Sequence, residues 1–241
     1  MLSKSEGLVL HYLNYSETSI IVSVLTREAG LLSFYVPGAK KTRAKFRLAM
    51  FEPLTILDLV YYKKDSSNLQ YIKELVLKEP YKTIPSDIVK TTVSLFLAEV
   101  LLAVLKQSES TPGMYDSIKN SLCLLDKTQE GVSNFHLSFL MQLTGHLGFF
   151  PRSNFDDKNC YFSLKEGFYL PREQDGRVCL DRKNSEIFWL ICMTSIEESN
   201  QIKIDSSTRK FLMEKIIEYY SIHLQGIKEI RSHKVLEAVF H

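Results

Sequence analysis

No two cysteines in this chain lie close enough to form a metal clip. Cys123, Cys160, Cys179 and Cys192 are scattered without CxxC spacing, which speaks against both a secreted disulfide framework and a zinc clasp. The phosphate-cradling GxxxxGK[ST], the dinucleotide GxGxxG, the hydrolase GxSxG and the zinc-protease HExxH are all missing, so the chain reads as a non-enzyme. No uninterrupted apolar run approaches the roughly 18 residues of a membrane span, and residues 1–6 hold no apolar stretch of signal-peptide length. The expectation is a cytoplasmic protein with no membrane partner. An excess of charge of one sign is also missing: 30 Lys and Arg face 28 Asp and Glu, for a net +2. Any polyanion site must therefore be local.

One segment stands out against that even balance. Pro37-Gly38-Ala39-Lys40-Lys41-Thr42-Arg43-Ala44-Lys45-Phe46-Arg47 carries five cations, no anion and one aromatic ring, directly after the apolar run 31–36. Residues 1–80 hold eleven Lys and Arg against eight Asp and Glu, and five of those eleven sit in this loop. A flexible cationic arm leaving a sheet can follow a phosphate backbone, while a ring such as Phe46 stacks on an unpaired base. The plainer readings are a solvated, mobile loop, with Phe46 tucking it against its own domain.

With 45% hydrophobic residues, 241 residues suffice for a sizeable core and two domains. The first eighty residues alternate with a period of two, in runs 7–13, 19–25, 31–36, 54–62 and 69–77, with a Gly-ended turn at 27–30. Five short strands predict a small barrel of the oligonucleotide-binding (OB) kind, although strand number alone also allows an SH3-like barrel or a sandwich. Near Pro80 the period changes to that of a helix. Ser86 reads as an N-cap before the apolar face Val89, Val93, Phe96, Leu97, Val100, Leu101 and Val104. Further helices are expected over 115–125, 135–147 (closed by Gly148), 185–193 and 208–224, with a short one around Leu236. Between Phe149 and Asp181 the chain is rich in Asn, Asp, Gly, Pro and aromatics, with two short strand-like runs at 160–164 and 167–170. The fold class is thus α+β and multi-domain: a five-stranded OB-like barrel over 1–80, an α-helical domain over 81–148 and 180–241, and an irregular insertion over 149–179.

This order of parts, with Tyr15-Ser16-Glu17, the stretch 25–32 running into Pro37-Gly38-Ala39-Lys40-Lys41, Phe51-Glu52-Pro53-Leu54, Leu147-Gly148-Phe149-Phe150-Pro151 and the segment 162–168, resembles the bacterial RecO family of recombination mediators over nearly the full length. The resemblance implies a non-enzymatic protein of DNA repair. Such a protein binds single- and double-stranded DNA, anneals complementary strands, and with RecR loads the recombinase onto DNA coated by single-strand-binding protein, whose C-terminal tail is a further partner. A nucleoid-associated cytoplasmic location goes with it. The DNA-binding residues singled out are Lys40, Lys41, Arg43, Lys45, Phe46 and Arg47. Lys63, Lys64, Lys228, Arg231 and Lys234 are secondary candidates, and Arg209, Lys210 and Lys215 read as a solvated helix face. The alternative is a protein adaptor whose helical domain captures partner peptides, with DNA binding incidental.

Many relatives carry two CxxC-like pairs in the insertion that form a zinc site; here those pairs are missing. A structural zinc needs four N or S ligands, so no zinc and no other cofactor is expected. The insertion would be held by Phe155, Tyr161, Phe162, Phe168 and Tyr169 instead. Asp156-Asp157 reads as a turn, His136 and His146 as structural, and Cys123 and Cys192 as small apolar side chains on helix faces. The doublets Tyr61-Tyr62 and Tyr219-Tyr220 each read as one core ring and one surface ring.

Overall fold

The computed structural model describes residues 1–63, 68–78, 80–129, 131–173 and 178–224, together with Ile230, Ser232 and Leu236. Five strands come first: β1 (Leu2–Asn14), β2 (Ile20–Thr26), β3 (Gly30–Val36), β4 (Ile56–Tyr62) and β5 (Leu69–Leu77). They close into a barrel in the order β1-β2-β3-β5-β4, antiparallel except where β3 runs parallel to β5. This is the five-stranded barrel of the OB fold.

Strand β1 begins five residues earlier than its apolar alternation suggests. Its first half (Leu2 to Leu8) pairs with β4, its second half (from Gly7) with β2, and a bulge between Val9 and His11 bends it from one partner to the other. Strand β4 begins two residues late, because Leu54 takes a left-handed conformation (φ 64°) while its N–H reaches the Val9 carbonyl. The side chains pointing inward, among them Val9, Val22, Val24, Phe34, Leu57, Leu59 and Tyr61, fill the barrel.

Leu8, Leu10, Leu25, Leu54 and Ile56 are buried on its outside, in one cluster with the helical part. That is why residues 7–10 are buried without a break: one face lines the barrel and the other meets helix α1 (Ile88–Leu105). Polar contacts reinforce this seam. The Arg27 guanidinium donates two bonds to the Asp116 carboxylate at 2.8 and 2.7 Å. Glu6 accepts from Lys119 (2.7 Å) and from Lys78. Burial alone would raise the Glu6 pKa, but these two ammonium groups outweigh it and hold the carboxyl below its ordinary value.

The helical part continues with α2 (Pro112–Lys127), α3 (Phe135–Leu147), α4 (Arg182–Met193) and α5 (Ser206–His223). Helix α1 is capped by Asp87, whose side chain accepts from the N–H groups of Val89 and Lys90, rather than by Ser86, which lies in the preceding 3-10 turn. Among the described residues α1 alone is long and apolar enough to cross a membrane; 61% of that apolar window is buried, where the helix packs on β1 and α2. Lys90 and Glu99 interrupt its apolar run, and both reach protein partners, Thr83 and Ser232. Helix α3 ends at Gly148, whose φ of 84° provides the left-handed closing residue.

Between α3 and α4 lies the insertion, a two-stranded ribbon of β6 (Tyr161–Ser163) and β7 (Phe168–Leu170). Rings hold it. Phe162 packs on Phe188 with centroids 4.4 Å apart and on Tyr169 at 5.0 Å, and Phe155 stacks on Trp189 at 5.3 Å. Phe168 lies beside the Arg152 guanidinium. The expectation for Tyr219-Tyr220 needs correcting. Both rings are buried, their hydroxyls donating to the carbonyls of Phe149 and Leu140, because α5 packs on α3 on one side and on the insertion on the other. Tyr61-Tyr62 does split, with Tyr61 inside the barrel and Tyr62 outside.

Candidate nucleic-acid interface

The cationic segment forms the first half of the long connection from β3 to β4. Pro37-Gly38 turns the chain, with Gly38 at φ 70°, a left-handed conformation that glycine adopts without strain. The Lys40 N–H donates to the Thr18 carbonyl in the β1–β2 loop, and its ammonium donates to Asn14 Oδ1 at 3.2 Å. Backbone bonds from Lys41 to Gly38 and from Ala44 to Lys41 fold the segment tightly. Ala39 is buried, and Phe46, Leu48 and Met50 pack against the barrel core. At the far end a 3-10 turn (Leu48–Phe51) buries Phe51.

A free, flexible arm is therefore not what the chain builds. The loop is stitched down at both ends, and its cationic side chains form an exposed rim. Lys40, Lys41, Arg43, Lys45 and Arg47 are all exposed, and among the described residues none of the five pairs with a carboxylate. Lys45 folds back so that its ammonium donates to the Lys73 carbonyl of β5 (2.8 Å) and lies 4.9 Å from the Phe46 ring centre. Phe46 itself is half-buried, anchoring the loop. The charge is thus raised on an anchored footing, which keeps five cations close with no carboxylate partner among the described residues.

The secondary candidates separate. Lys63 is exposed just beyond β4, while Lys64, Lys228, Arg231 and Lys234 lie outside the described residues. Arg209 does not belong to a solvated face: it is half-buried, donating to Asn134 Oδ1 at 3.0 Å and to the Ile204 carbonyl at 2.8 Å. Lys215 pairs with Glu218 and lies over the Phe211 ring.

In the insertion Cys160 and Cys179 are buried free thiols, and among the described residues no three or more of His, Cys, Asp and Glu gather as metal ligands would. Asp156 is a turn residue, its carboxylate accepting from the N–H groups of Lys158 and Asn159. His136 is buried against Phe96, and burial, helped by Arg209, pushes its pKa down to about 3. Burial likewise raises the Cys192 thiol pKa, leaving it a neutral core group.

Next to the loop lies a feature that residue-by-residue reading of the sequence missed. Leu13, Ile21, Tyr35, Tyr71, Tyr62 and Leu2 are successive cross-strand partners, one from each strand and two from β1. They face outward in one row around the barrel, and Tyr15 joins it from the β1–β2 loop. The available signal was an aromatic or aliphatic residue at the outward phase of every strand, but only the strand register aligns those positions.

The closed five-stranded barrel followed by helices defines the class: a protein built on an OB-type barrel. The matched families agree. Residues 1–81 fit the family model described as "Recombination protein O N terminal", and residues 85–232 fit "Recombination protein O C terminal". Proteins named "DNA repair protein RecO" are similar over the full length: 29% identity with that of Azobacteroides pseudotrichonymphae and 31% with that of Phocaeicola vulgatus, each covering 100% of both chains. The Flavobacterium psychrophilum protein of that name is 30% identical over 98% of both. The chain belongs to the RecO family, whose curated members are DNA repair proteins.

Proposed function

We propose that this protein is a non-enzymatic recombination mediator in DNA repair. In this reading the rim of Lys40, Lys41, Arg43, Lys45 and Arg47 binds the backbones of single- and double-stranded DNA and brings complementary strands together. The observation that carries it is five exposed cations on an anchored loop with no carboxylate partner among the described residues. Annealing calls for such a surface. Two strands repel through their phosphates, and clustered lysine and arginine release condensed counterions and screen that repulsion without reading base edges. Phe46 serves as the anchor of the rim, and Lys63 extends the positive surface across the barrel.

In this reading the protein also loads the recombinase together with RecR and captures the tail of single-strand-binding protein, as the family resemblance suggests, with the helical part as the partner-binding region of a cytoplasmic protein. No zinc is required in this reading, because aromatic packing holds the insertion. The test is a variant with all five rim cations changed to Ala. It should lose affinity for every oligonucleotide by a similar factor, with thermal stability nearly unchanged, because the sites are exposed. Undiminished affinity in a folded variant would reject the assignment.

A further inference from the structure

The outward row on the barrel consists of aromatic and aliphatic side chains that belong to neither core cluster. Tyr15 is 62% exposed, Tyr62 46% and Tyr71 44%, with Leu2 and Leu13 exposed at the two ends. Tyr35, half-buried between them, holds Tyr15 and Tyr71 edge-to-face at 5.6 and 5.7 Å, and its hydroxyl lies 3.2 Å from Ser19 Oγ. Tyr62 and Tyr71 are direct cross-strand partners. Cross-strand aromatic pairs do stabilise sheets. That role explains two neighbouring rings better than a row spanning all five strands, whose outermost members are close to half exposed. Among the described residues the helical part packs on Leu8, Leu10, Leu25, Leu54 and Ile56, and none of the row belongs to that cluster. Contiguous apolar surface of this kind marks a binding face.

The charge beside it identifies the occupant. Lys40 is fastened next to Tyr15, through Thr18 and Asn14. Lys45 reaches the carbonyl of Lys73, two residues beyond Tyr71 on β5. Lys63 directly follows Tyr62, where Met1, Tyr62, Lys63 and Tyr71 line a shallow groove. Cations therefore border the row at the Tyr15 end, at its middle and at the Tyr62 end. Flat rings with ammonium groups alongside suit a chain of stacking bases on a phosphate backbone, since every base offers a π-face. Bases in a duplex are already stacked and cannot use the rings.

We infer that the row Tyr15–Tyr35–Tyr71–Tyr62 is a base-stacking platform selective for single-stranded DNA. It rests on the reading of the rim as a phosphate-binding surface. The rim takes backbones of either form; the tyrosines add affinity for unpaired strands alone. Strand preference is thereby separated from charge.

The test measures oligothymidylate and duplex binding, each across a salt series, for the full chain and for the double variant Tyr62→Leu, Tyr71→Leu, which keeps apolar bulk on the strands. The inference expects single-strand affinity to fall by about tenfold or more, duplex affinity to stay within about twofold, and the salt slope not to change. Tyr62→Phe, Tyr71→Phe should bind like the parent. Photo-crosslinking of iodouracil-substituted single strands to the unmodified protein gives an independent reading, with adducts expected on Tyr15, Tyr62 or Tyr71. Unchanged single-strand affinity, or adducts confined to other residues, would overturn it. So would an equal loss for single strand and duplex, which would mean that the rings only shape the rim. Competition for the row by an acidic apolar peptide, with single-strand binding intact in the Leu variant, would assign it to a protein partner and equally overturn the inference. Failure of the rim reading looks different: the parent would bind neither DNA form in a salt-dependent way.

Discussion

Replacing Asp126 by Asn should loosen the joint where the barrel hands the chain to the helices. Asp126 closes α2, and its carboxylate faces the segment that leaves β5. Oδ1 accepts from the N–H groups of Thr83 (2.7 Å) and Ile84 (3.0 Å), and Oδ2 from that of Lys82 (2.9 Å). The buried Lys90 ammonium donates to Thr83 Oγ1 at 2.6 Å and to the Asp126 carbonyl at 3.2 Å. An Asn amide can keep the Oδ1 bonds, but its NH2 group then confronts the Lys82 N–H, and the carboxylate charge that strengthens all three bonds is gone. Loss of one charge-assisted bond costs about 1.5–3 kcal/mol and weakening of the other two adds to it, so the total is about 2–4 kcal/mol. For a chain of this length that lowers Tm by about 4–16 °C. Urea unfolding at neutral pH measures it, and acid provides a second check. Burial raises the Asp126 pKa, but the N–H groups of Lys82, Ile84 and Thr83 more than reverse this, so the folded pKa lies below the ordinary carboxylate value. A group shifted that way stabilises the fold above its unfolded pKa and loses the contribution as pH falls through the folded one. The deficit of the Asn variant should therefore shrink below about pH 3.9. A deficit under about 1 kcal/mol at neutral pH, or one unchanged in acid, would refute this account of the joint.

Two further perturbations probe the two halves separately. His136, neutral and buried with a folded pKa of about 3, binds its proton more weakly in the folded than in the unfolded chain. Stability should thus fall as pH drops below about 6.5, by up to about 1.4 kcal/mol per pH unit, and His136→Phe should flatten urea-measured stability between about pH 6.5 and 5. In the barrel, a Cβ on Gly7 would lie 2.7 Å from Val24 Cγ1 and 2.9 Å from Leu59 Cδ1. Gly7→Ala should cost about 1–3 kcal/mol, and a neutral effect in thermal unfolding would show that the barrel interior yields more easily than its packing suggests.

Period-two runs placed all five strands, and period 3.6 placed the helices, because those patterns reflect which face of each segment meets a core. What the sequence hid was set by contacts distant along the chain. Residues 2–6, with Ser3, Lys4, Ser5 and Glu6, hold no apolar alternation, yet they are strand because β4, more than fifty residues later, pairs with them. Tyr220 is buried because α5 presents it to α3, where the Leu140 carbonyl takes its hydroxyl. The cationic rim was legible since it is contiguous in sequence. Phe46 as an anchor was legible too, and it does pack on the barrel; the polar anchors were not, for they depend on Thr18, Asn14 and Lys73 from three other segments. The tyrosine row was invisible for the same reason: its members become neighbours only through the barrel's register.

The claim that five loop cations grip phosphates is tested most directly by the salt dependence of single-strand binding. Engagement of five phosphates predicts a slope of about −3.5 in log affinity against log salt, falling toward zero when Lys40, Lys41, Arg43, Lys45 and Arg47 are replaced by Ala. A slope near zero in the unmodified protein, or the same steep slope in the folded Ala variant, would contradict the account.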